Sequence, residues 1–471
     1  MDDTICAIAT PFGEGGIGII RISGENAVEI ASGVIRLTSG RSLPDVSSHI
    51  LCHADIVGSF PDNPLRPGTA FTSIDEALVV VMRAPRSYTA EDVVEIHCHG
   101  GPFILQCLCE ALVAKGARLA QPGEFTKRAF LNGKLDLTQA EAVLDTIRAK
   151  TAASLRLAQE QLRGSLSKEV DRIHQRLIHL LAHVEAAIDF TEEGITFIQE
   201  QELLHGVEST IKELSRLTAS YQEGQVLREG VTAAIVGRPN VGKSSLLNAL
   251  LRTDRAIVTP IPGTTRDVLE ETLNIRGVPV RLLDTAGIRE TMDLVEQEGV
   301  RRSRAAMEQA DLLLVLLDGS VPLTPEDRIL VSPDRDKKIV LVINKTDLPR
   351  ELSPGHLQDL EQAVSADATV WISARTGAGL DDLRDAIRNL VLRPEFEPGE
   401  TAVVTTLRHR TGLTKAIEAL HRSVESIRCR LSSEFVALDL RGALDALGEI
   451  TGATTTDDIL DHVFSQFCIG K

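Results

Sequence analysis

The sequence predicts a multidomain α/β protein, in which an α/β domain is inserted into a helical domain that follows an N-terminal α+β domain. Residues 1 to about 130 mix short β-branched runs with Gly and Pro turns, which is typical of α+β structure. Residues from about 136 to 225, and again after about 400, carry hydrophobic residues at helical spacing. Residues from about 228 to 392 alternate strand and helix patterns, which favours a doubly wound sheet.

These patterns set the predicted domain boundaries. We expect the N-terminal domain over residues 1–132 and the inserted domain over residues 228–393. The helical domain then has two parts, residues 133–227 and residues 394–471. Such an insertion is plausible because the two ends of a domain often lie close together.

The N-terminal domain is predicted from short apolar runs separated by turn residues. The predicted strands are Thr4–Ala9, Gly18–Ile22, Ala77–Met82 and Val93–His97, and Gly101–Lys115 is predicted to be a helix. The segment Gly13–Gly18 formally matches the dinucleotide-binding pattern G-x-G-x-x-G, but that pattern requires a helix next. A strand is expected instead, so we interpret the segment as a glycine turn.

The helical domain is predicted from apolar residues that recur every three, four or seven positions. The first stripe contains Leu155, Leu162, Leu166, Val170, Ile173, Leu177, Leu180, Val184 and Ile188. Further stripes contain Leu203, Val207, Ile211, Leu214 and Leu217, then Leu413, Ile417, Leu420, Val424, Ile427 and Leu431, and finally Ile459, Leu460, Val463, Phe464 and Phe467. We interpret these stripes as the core of a helical bundle.

Composition and charge limit the classes of function. The 471 residues are 43% hydrophobic and 25% charged, a normal globular balance, and no apolar run is long enough to cross a bilayer. The N-terminus lacks the shape of a signal peptide, and the seven cysteines are scattered, so a cytoplasmic protein without disulfides or a membrane contact is expected. The net charge of −17 repels a polyanion, so an RNA substrate would need a local basic patch or a partner. The group His97-Cys98-His99 with Cys107 and Cys109 fits no common metal site.

A phosphate-binding loop is the strongest motif. Val231–Val236 is predicted to be a buried strand, and it leads into Gly237–Ser244, which matches G-x-x-x-x-G-K-S, and then into a helix. Backbone N–H groups of the loop and the helix N-terminus can surround phosphates. Lys243 is expected to reach the β- and γ-phosphates, and the Ser244 hydroxyl to bind Mg²⁺.

Three later motifs indicate that the base is guanine. Asp284–Gly287 follows a predicted strand, where Asp284 would hold Mg²⁺ through water and the Gly287 N–H would sense the γ-phosphate. In Asn344–Asp347 a carboxylate can accept two hydrogen bonds from the N1–H and exocyclic amine of guanine, a donor pair that adenine lacks. Ser373–Arg375 resembles the loop that contacts guanine O6. All of these motifs follow strands, as expected for open α/β sheets, and they predict a Ras-like P-loop G domain.

The hydrolytic machinery is less clear from the residues. Thr265, in the loop Gly263–Asp267, is the candidate second Mg²⁺ hydroxyl. Ile288 stands where Ras-type enzymes have a water-orienting Gln, so a substitute is required. The Asn240 side chain could bind a monovalent cation or simply stabilise a turn, and spacing alone favours Glu296 as a solvated surface charge over a water-orienting group.

The motifs together resemble the MnmE (TrmE) family of tRNA-modifying GTPases. The resemblance includes Gly237–Asn240, Gly263–Asp267, Asp284–Glu290, Gly123–Asn132 and the terminal Cys468–Lys471, and it extends over the whole chain. It implies a potassium-activated GTPase that dimerises. It also implies a nucleotide and Mg²⁺ site at Asn240, Val241, Gly242, Lys243, Ser244, Ser245, Thr259, Thr264, Thr265, Asp284, Thr285, Ala286, Gly287, Asn344, Lys345, Asp347, Ser373, Ala374 and Arg375.

The resemblance further assigns roles that the residues alone do not establish. It implies K⁺ ligands at Asn240 and around Thr259, Ile261 and Thr264, and Glu296 as the catalytic carboxylate alongside Lys243 and Asn240. It implies that the N-terminal domain binds 5,10-methylenetetrahydrofolate or another reduced folate through contacts at Arg21, Glu95, Lys134 and Lys471. Cations suit the carboxylates of a folate tail, and a carboxylate suits the N–H edge of a pterin.

The implied reaction is a modification of tRNA. With an FAD-dependent partner of the MnmG (GidA) type, forming a heterotetramer, such a protein modifies C5 of the wobble uridine with a carbon from the folate. Cys468 has no chemical role that we can derive. The G motifs alone also allow a second hypothesis, a regulatory GTPase switch in ribosome assembly.

Overall fold

The chain forms two compact units in a computed structural model. The structure describes residues 3–58, 71–189, 199–256, 271–283, 306–324, 327, 337–394, 396 and 402–471. Over those ranges, the N-terminal unit contains residues up to 144 together with residues 451–471, and the second unit contains residues between 145 and 450.

The N-terminal unit is built on one mixed sheet. Its described strands are β1 (Ile5–Ile8), β2 (Gly15–Ser23), β3 (Ile35–Leu37), β4 (Leu51–Gly58), β5 (Phe71–Met82), β6 (Val93–Gly100) and β7 (Arg118–Leu119). The spatial order is β3-β4-β5-β6-β2-β1-β7, and every pair is antiparallel except β1 with β7. Because β2 begins at Gly15, the last four residues of the G-x-G-x-x-G match lie in a strand and not in a turn. The predicted strand in place of a helix is confirmed, whereas the predicted glycine turn is confined to the residues before Gly15.

Helices cover this sheet and extend the unit. They are α1 (Ala27–Ser32), α2 (Pro102–Ala114), α3 (Glu124–Leu131) and α4 (Leu137–Arg148), with a short 3₁₀ turn at Leu43–Asp45. Buried residues of α1, α2 and the sheet form one hydrophobic core, in which Ile22, Ile56, Ile96 and Leu108 are fully buried. The strand and helix positions predicted for this part of the chain are confirmed.

The end of the chain packs within the N-terminal unit. The last helix, Asp457–Phe464, places Leu460 and Phe464 against Leu137 and Leu144 of α4 in a small core. Gly123 lies so close that a Cβ there would be 2.5 Å from the Phe464 carbonyl oxygen. The assignment of residues 394–471 to the second part of the helical domain stays a prediction.

The second unit contains a six-stranded sheet among its described residues. Its strands are β8 (Val231–Val236), β9 (Glu271–Ile275), β10 (Val278–Leu283), β11 (Leu312–Asp318), β12 (Lys338–Asn344) and β13 (Ala368–Trp371). The order is β13-β12-β11-β8-β10-β9, and only the edge strand β9 is antiparallel. Strand β8 is fully buried, and β11 and β12 are nearly fully buried. Their runs of Val, Ile, Leu and Ala form central parallel strands because such strands are covered on both faces.

Helices of the second unit form a bundle and flank the sheet. They are α5 (Ala152–Leu162), α6 (Ser165–Asp189), α7 (Glu200–Ala219), α8 (Tyr221–Glu229), α9 (Lys243–Asp254), α10 (Pro354–Val364), α11 (Leu380–Val391), α12 (Leu407–Arg428) and α13 (Ser433–Thr451). The final helix, Asp457–Phe464, is α14. The predicted apolar stripes of α6, α7 and α12 share one core, and α13 joins it. The predicted stripe from Ile459 to Phe467 lies instead in the separate small core with α4, so its assignment to the bundle core is wrong.

Two residues of the predicted apolar stripes are exposed and not part of the core. Leu155 is 43% exposed and Leu157 takes the buried position, because a left-handed Gly164 ends α5 and restarts the helical phase at α6. Leu431 is 50% exposed, because α12 ends at Arg428 and the chain turns at Arg430, which has a positive φ.

The inserted domain leaves and rejoins the helical part at neighbouring points. The backbone N–H of Val404 donates to the Ser220 hydroxyl at 3.0 Å, so the segment before β8 contacts the segment after α11. A Cβ on Gly224 would lie 2.0 Å from the Val404 carbonyl oxygen. Gln161 of α5 also donates to the Val403 carbonyl oxygen at 3.1 Å. The predicted insertion is therefore confirmed.

None of the described helices is long and apolar enough to cross a membrane.

Candidate functional sites

The phosphate-binding loop lies between the central strand β8 and helix α9. Two glycines are required by close packing: a Cβ on Gly237 would lie 2.5 Å from the Leu316 carbonyl oxygen, and one on Gly242 would lie 2.3 Å from the Asn344 amide nitrogen. Gly242 also has φ +105 and caps the N-terminus of α9. The loop therefore presents its backbone N–H groups at a helix N-terminus, where an anion is favoured.

The loop lysine is held by neutral groups. Lys243 Nζ donates to the carbonyl oxygens of Gly237 and Arg238, both at 2.8 Å. Burial lowers the pKa of Lys243 from its ordinary value. Since no carboxylate among its described contacts competes for the ammonium group, a phosphate can draw it away from the two carbonyls. Ser244 and Ser245 are exposed in the first turn of α9.

Asn344 joins three of the predicted loops. Its side-chain nitrogen donates to the Val241 carbonyl oxygen at 2.8 Å, and its side-chain oxygen accepts from the Ala374 N–H at 2.9 Å. Asn344 is only 3% exposed, so both of these hydrogen bonds are shielded from water. One buried amide thus fixes the phosphate loop, the Asn344–Asp347 loop and the Ser373–Arg375 loop relative to one another.

The predicted base-recognising carboxylate is exposed and oriented. The Ser373 hydroxyl donates to Asp347 Oδ1 at 2.7 Å, and this bond lowers the pKa of Asp347. The Ser373 hydroxyl also accepts from the Thr376 N–H at 3.2 Å, which fixes its orientation. An ionised carboxylate that is free on one side can accept the paired N–H donors of guanine.

Asp318 is a site residue that the sequence analysis missed. Lys345, which has φ +66, donates from Nζ to Asp318 Oδ2 at 2.6 Å. Burial raises the pKa of Asp318, but hydrogen bonds from Lys345 and Ser320 outweigh burial, so the pKa is lowered overall. The available signal was its position at the carboxyl end of β11, next to β8, where ligands of such sheets bind.

The geometry of the loop also bears on metal binding. Asn240 has φ +65 and is exposed, so it adopts a left-handed turn that Asn tolerates, with its side chain accessible. Ser244 supplies an exposed hydroxyl of the type that Mg²⁺ takes in such loops, and both residues offer the oxygen donors that K⁺ and Mg²⁺ prefer. Asn240 and Ser244 therefore suit K⁺ and Mg²⁺, but these two residues are too few to form the full coordination shell of either ion.

Several predicted site residues lie outside the described residues. They are Thr259, Ile261, Thr264, Thr265, Asp284, Thr285, Ala286, Gly287 and Glu296. Strand β10 ends at Leu283, directly before Asp284.

A second cluster lies in the N-terminal unit and begins with a cross-strand ion pair. Arg21 of β2 and Glu95 of β6 are paired in register, and Arg21 Nε donates to Glu95 Oε1 at 2.8 Å. Both side chains are less than 20% exposed, at 14% and 17%. The other oxygen of Glu95 lies 3.4 Å from His97 Nε2. The predicted Arg21 and Glu95 are therefore brought together by the sheet.

Tyr88 connects this pair to the predicted Lys134. The Arg21 guanidinium lies 5.0 Å from the centre of the Tyr88 ring, and Lys134 Nζ lies 5.6 Å from it. The Tyr88 hydroxyl is 2.8 Å from the Thr126 hydroxyl, while burial raises the pKa of Tyr88. The sequence did not indicate a role for Tyr88, because that role depends on contacts between its ring and two cations that only the fold brings together.

The C-terminus completes the cluster. The Phe125 N–H donates to the Lys471 carbonyl oxygen at 3.2 Å, and Arg21 approaches the Gly470 carbonyl oxygen at 3.5 Å. Burial lowers the pKa of Lys471, the nearby Arg21 lowers it further, and Glu95 opposes them. All four residues predicted to contact the folate thus belong to one cluster, in which Lys134 is exposed and the others are half-buried. We call it the cation cluster, and its members are Arg21, Tyr88, Glu95, Lys134 and Lys471.

A buried arginine fixes the loop that carries Tyr88. Arg128 is 1% exposed, and it contacts Asp3 at 2.7 Å, Glu124 at 3.2 Å and Glu91 at 3.3 Å. Glu91 in turn accepts from the Ser23 hydroxyl at 2.7 Å. The motif that contains Arg128 therefore acts in part as a support for the cluster.

The His97–Cys109 group shows no metal site. His99 binds Asp75 at 2.7 Å, while Cys98, Cys107 and Cys109 are buried. Among the described residues, no group of three or more potential ligands is placed to hold a metal ion.

Comparison with known proteins shows what this chain is similar to. Residues 4–134 match the family described as "GTP-binding protein TrmE N-terminus", and residues 137–468 match the "MnmE helical domain". Relatives named "tRNA modification GTPase MnmE" include those of Alkaliphilus metalliredigens, 45% identical over 471 residues, and Carboxydothermus hydrogenoformans, 46% identical over 473 residues. A third, from Clostridioides difficile, is 44% identical over 471 residues. Each of these alignments covers 100% of both chains.

Proposed function

Because this chain belongs to the MnmE family of tRNA modification GTPases, we propose that it is a potassium-activated GTPase that modifies the wobble uridine, position 34, of certain tRNAs at C5. It acts with an FAD-dependent partner of the MnmG type, and a reduced folate supplies the carbon. We further propose a homodimer that joins this partner in a heterotetramer in the cytoplasm.

The proposed nucleotide role is supported by the loops that Asn344 joins. Asp347 accepts the N–H edge of guanine, Lys243 moves from two carbonyls to the β- and γ-phosphates, and Ser244 binds Mg²⁺. When bound, Mg²⁺ neutralises charge that develops on the phosphates. The Ser373 hydroxyl keeps Asp347 ionised and oriented before any base arrives.

The proposed hydrolytic step needs groups beyond the described loop. We assign Asn240 as a K⁺ ligand, together with positions around Thr259, Ile261 and Thr264, and Glu296 as the residue that orients water. Thr265 and Asp284 complete the Mg²⁺ site in this proposal. A bound K⁺ supplies positive charge beside the phosphates, where an arginine finger acts in other GTPases.

The proposed folate role depends on the cation cluster. The cation cluster contains three cations, Arg21, Lys134 and Lys471, and one acidic side chain, Glu95. Two of the cations lie on one aromatic ring. A folate offers an acidic tail for the cations and a pterin whose N–H edge suits Glu95. This local excess of positive charge in a chain of net charge −17 is the observation that carries the proposal.

The decisive experiment is reconstitution. Purified chain, partner, tRNA, reduced folate, GTP and K⁺ are combined, each component is omitted in turn, and the wobble nucleoside is identified by mass spectrometry. We expect each omission to abolish the modified base. Normal wobble modification in cells that lack the chain would instead favour the alternative, a regulatory switch in ribosome assembly.

The cation requirement has its own test. GTP turnover is expected to be higher in K⁺ than in Na⁺, and Asn240→Ala should flatten that difference. Glu296→Ala should lower turnover with little change in GTP affinity. Equal rates in both salts would contradict the K⁺ assignment, and loss of GTP binding in the Glu296 variant would contradict its catalytic role.

A further inference from the structure

The phosphate-binding loop contains a second cation besides its lysine. Arg238, the second residue of the loop, donates from Nε to Asp327 Oδ1 at 2.6 Å. The Asp327 side chain is only 1% exposed, whereas that of Arg238 is 20% exposed. The other carboxylate oxygen of Asp327 accepts from the backbone N–H of Thr324 at 2.9 Å and from its hydroxyl at 3.0 Å. Both oxygens of a buried carboxylate are therefore occupied.

Burial commits Arg238 to this ion pair. Removing one member of a buried pair leaves an uncompensated charge, which is strongly unfavourable, so Arg238 cannot leave Asp327 at little cost. Lys243 is in the opposite situation, because its two acceptors are neutral carbonyls. Of the two cations in the loop, Lys243 is free to move to a phosphate and Arg238 is not.

The ion pair acts on the first half of the loop, where Lys243 is the other described side chain that binds the loop backbone. Asn344 holds the second half through the Val241 carbonyl oxygen. In the first half, the Arg238 carbonyl oxygen receives Lys243, and Asn240 adopts its left-handed turn two residues later. Since Asp327 follows β11, the pair ties this half of the loop to the segment beyond the neighbouring strand.

We propose that Arg238 is a positioning residue, whose ion pair with Asp327 holds the first half of the phosphate-binding loop in the shape that binds nucleotide. Arg238 does not contact the phosphates itself. The two cations of the loop thus have different roles. Arg238, bound to a carboxylate, fixes the loop, and Lys243, bound to carbonyls, binds the ligand.

Four variants of the full chain test the proposal: Arg238→Ala, Asp327→Asn, Arg238→Lys and the double variant Arg238→Ala/Asp327→Asn. The measurements are the Kd of a fluorescent GDP, kcat and KM for GTP, and the melting temperature. We expect each single loss to raise the Kd roughly tenfold while kcat at saturating GTP changes about twofold or less, because the loop and not the reaction is disturbed. The double variant should be no worse than Arg238→Ala, since it leaves no unpaired charge, and Arg238→Lys should restore most of the affinity.

A second ion pair of the same domain provides the matched control. Arg384 of α11 and Asp254 at the end of α9 are 2.9 Å apart, with side chains 11% and 12% exposed. Asp254 lies at the opposite end of α9 from Lys243, about 16 Å along the helix. Arg384→Ala should lower the melting temperature and leave the Kd for GDP unchanged.

Two results would overturn the proposal. If Asp327→Asn matched the parent protein while Arg238→Ala lowered kcat at saturating GTP, Arg238 would act on the phosphates. If the Arg238 and Asp327 variants lowered only the melting temperature, as expected for the Arg384 control, the pair would have no role in nucleotide binding.

Discussion

The nucleotide site and the cation cluster differ in how the chain assembles them. The nucleotide site takes most of its described residues from short loops that follow β8, β12 and β13. One buried amide, Asn344, fixes these loops by hydrogen bonds to backbone groups. The cation cluster instead joins residues as far apart as Arg21 and Gly470, 449 positions in sequence. A site made from loops at one sheet edge can be recognised in the sequence, whereas a site made from distant side chains becomes evident only in the fold.

The two sites also differ in electrostatic balance. In the nucleotide site Lys243 binds two neutral carbonyls and Lys345 binds Asp318. In the cation cluster the cations repel one another, and Arg21 contributes to the lowered pKa of Lys471. An anionic ligand would relieve this repulsion, so ligand binding should stabilise the cluster more than it stabilises the preformed base-binding loops.

The largest expected effect separates the two sites completely. Asp347→Ala removes the carboxylate that accepts two donors from guanine, so the affinity for GDP should fall on the order of 10³-fold. Fluorescence titration with a labelled GDP measures this change. Binding of reduced folate should stay unchanged in the same variant; a parallel loss would mean that the two sites depend on each other.

The second effect tests the C-terminal part of the cation cluster. Gly470 has φ +97, and a Cβ there would lie 2.3 Å from the Ile8 carbonyl oxygen, so Gly470→Ala should displace Lys471. We expect folate affinity, measured by equilibrium dialysis, to fall by about tenfold or more. Gly16→Ala is the control, because no atom lies within 4 Å of the added carbon. Equal losses in both variants would contradict the role of the tail.

A smaller effect is expected at Tyr88. Tyr88→Leu removes the ring that faces Arg21 and Lys134, and folate affinity should fall between about threefold and thirtyfold, the range of partly buried cation–π contacts. Tyr88→Phe keeps the ring and loses the contact with the Thr126 hydroxyl, so its effect should be smaller. If the two variants behaved alike, the hydroxyl rather than the ring would be important.

The smallest effect is a dependence on pH. The pKa of Lys471 is lowered from 10.5, so this lysine loses its proton at a lower pH than a free lysine does. Affinity for the folate anion should therefore decrease as the pH rises through that lowered pKa. Lys471→Arg stays charged and should show a weaker dependence; an identical profile for both proteins would exclude Lys471 as the titrating group.

Much of the fold follows from sequence periodicity. The runs in β8 and β12 are apolar and rich in β-branched residues, so they predict strands, and the stripes of α6, α7 and α12 predict the bundle. Leu155 and Leu431 differ because Gly164 and Arg430 interrupt the helical phase, and periodicity alone does not locate such interruptions.

The sites were predictable to different degrees. The loops around Lys243, Asn344, Asp347 and Ser373 are contiguous motifs, and the structure brings them together at one edge of the sheet. Asp318, Asp327 and Tyr88 are single residues whose contacts depend on long-range packing, so no local pattern marks them. Arg21, Glu95, Lys134 and Lys471 came only from the family resemblance, and their role stays a prediction.

The hydrogen bond between Ser220 and Val404 has a consequence for how the protein can evolve. A domain whose two junctions touch can be removed, exchanged or enlarged without stretching its host, since a linker of a few residues spans the gap. A chain in which residues 230–393 are replaced by such a linker should still fold its helical bundle. The same arrangement makes the nucleotide-hydrolysing part a transplantable module, free to be swapped among proteins whose hosts do different work.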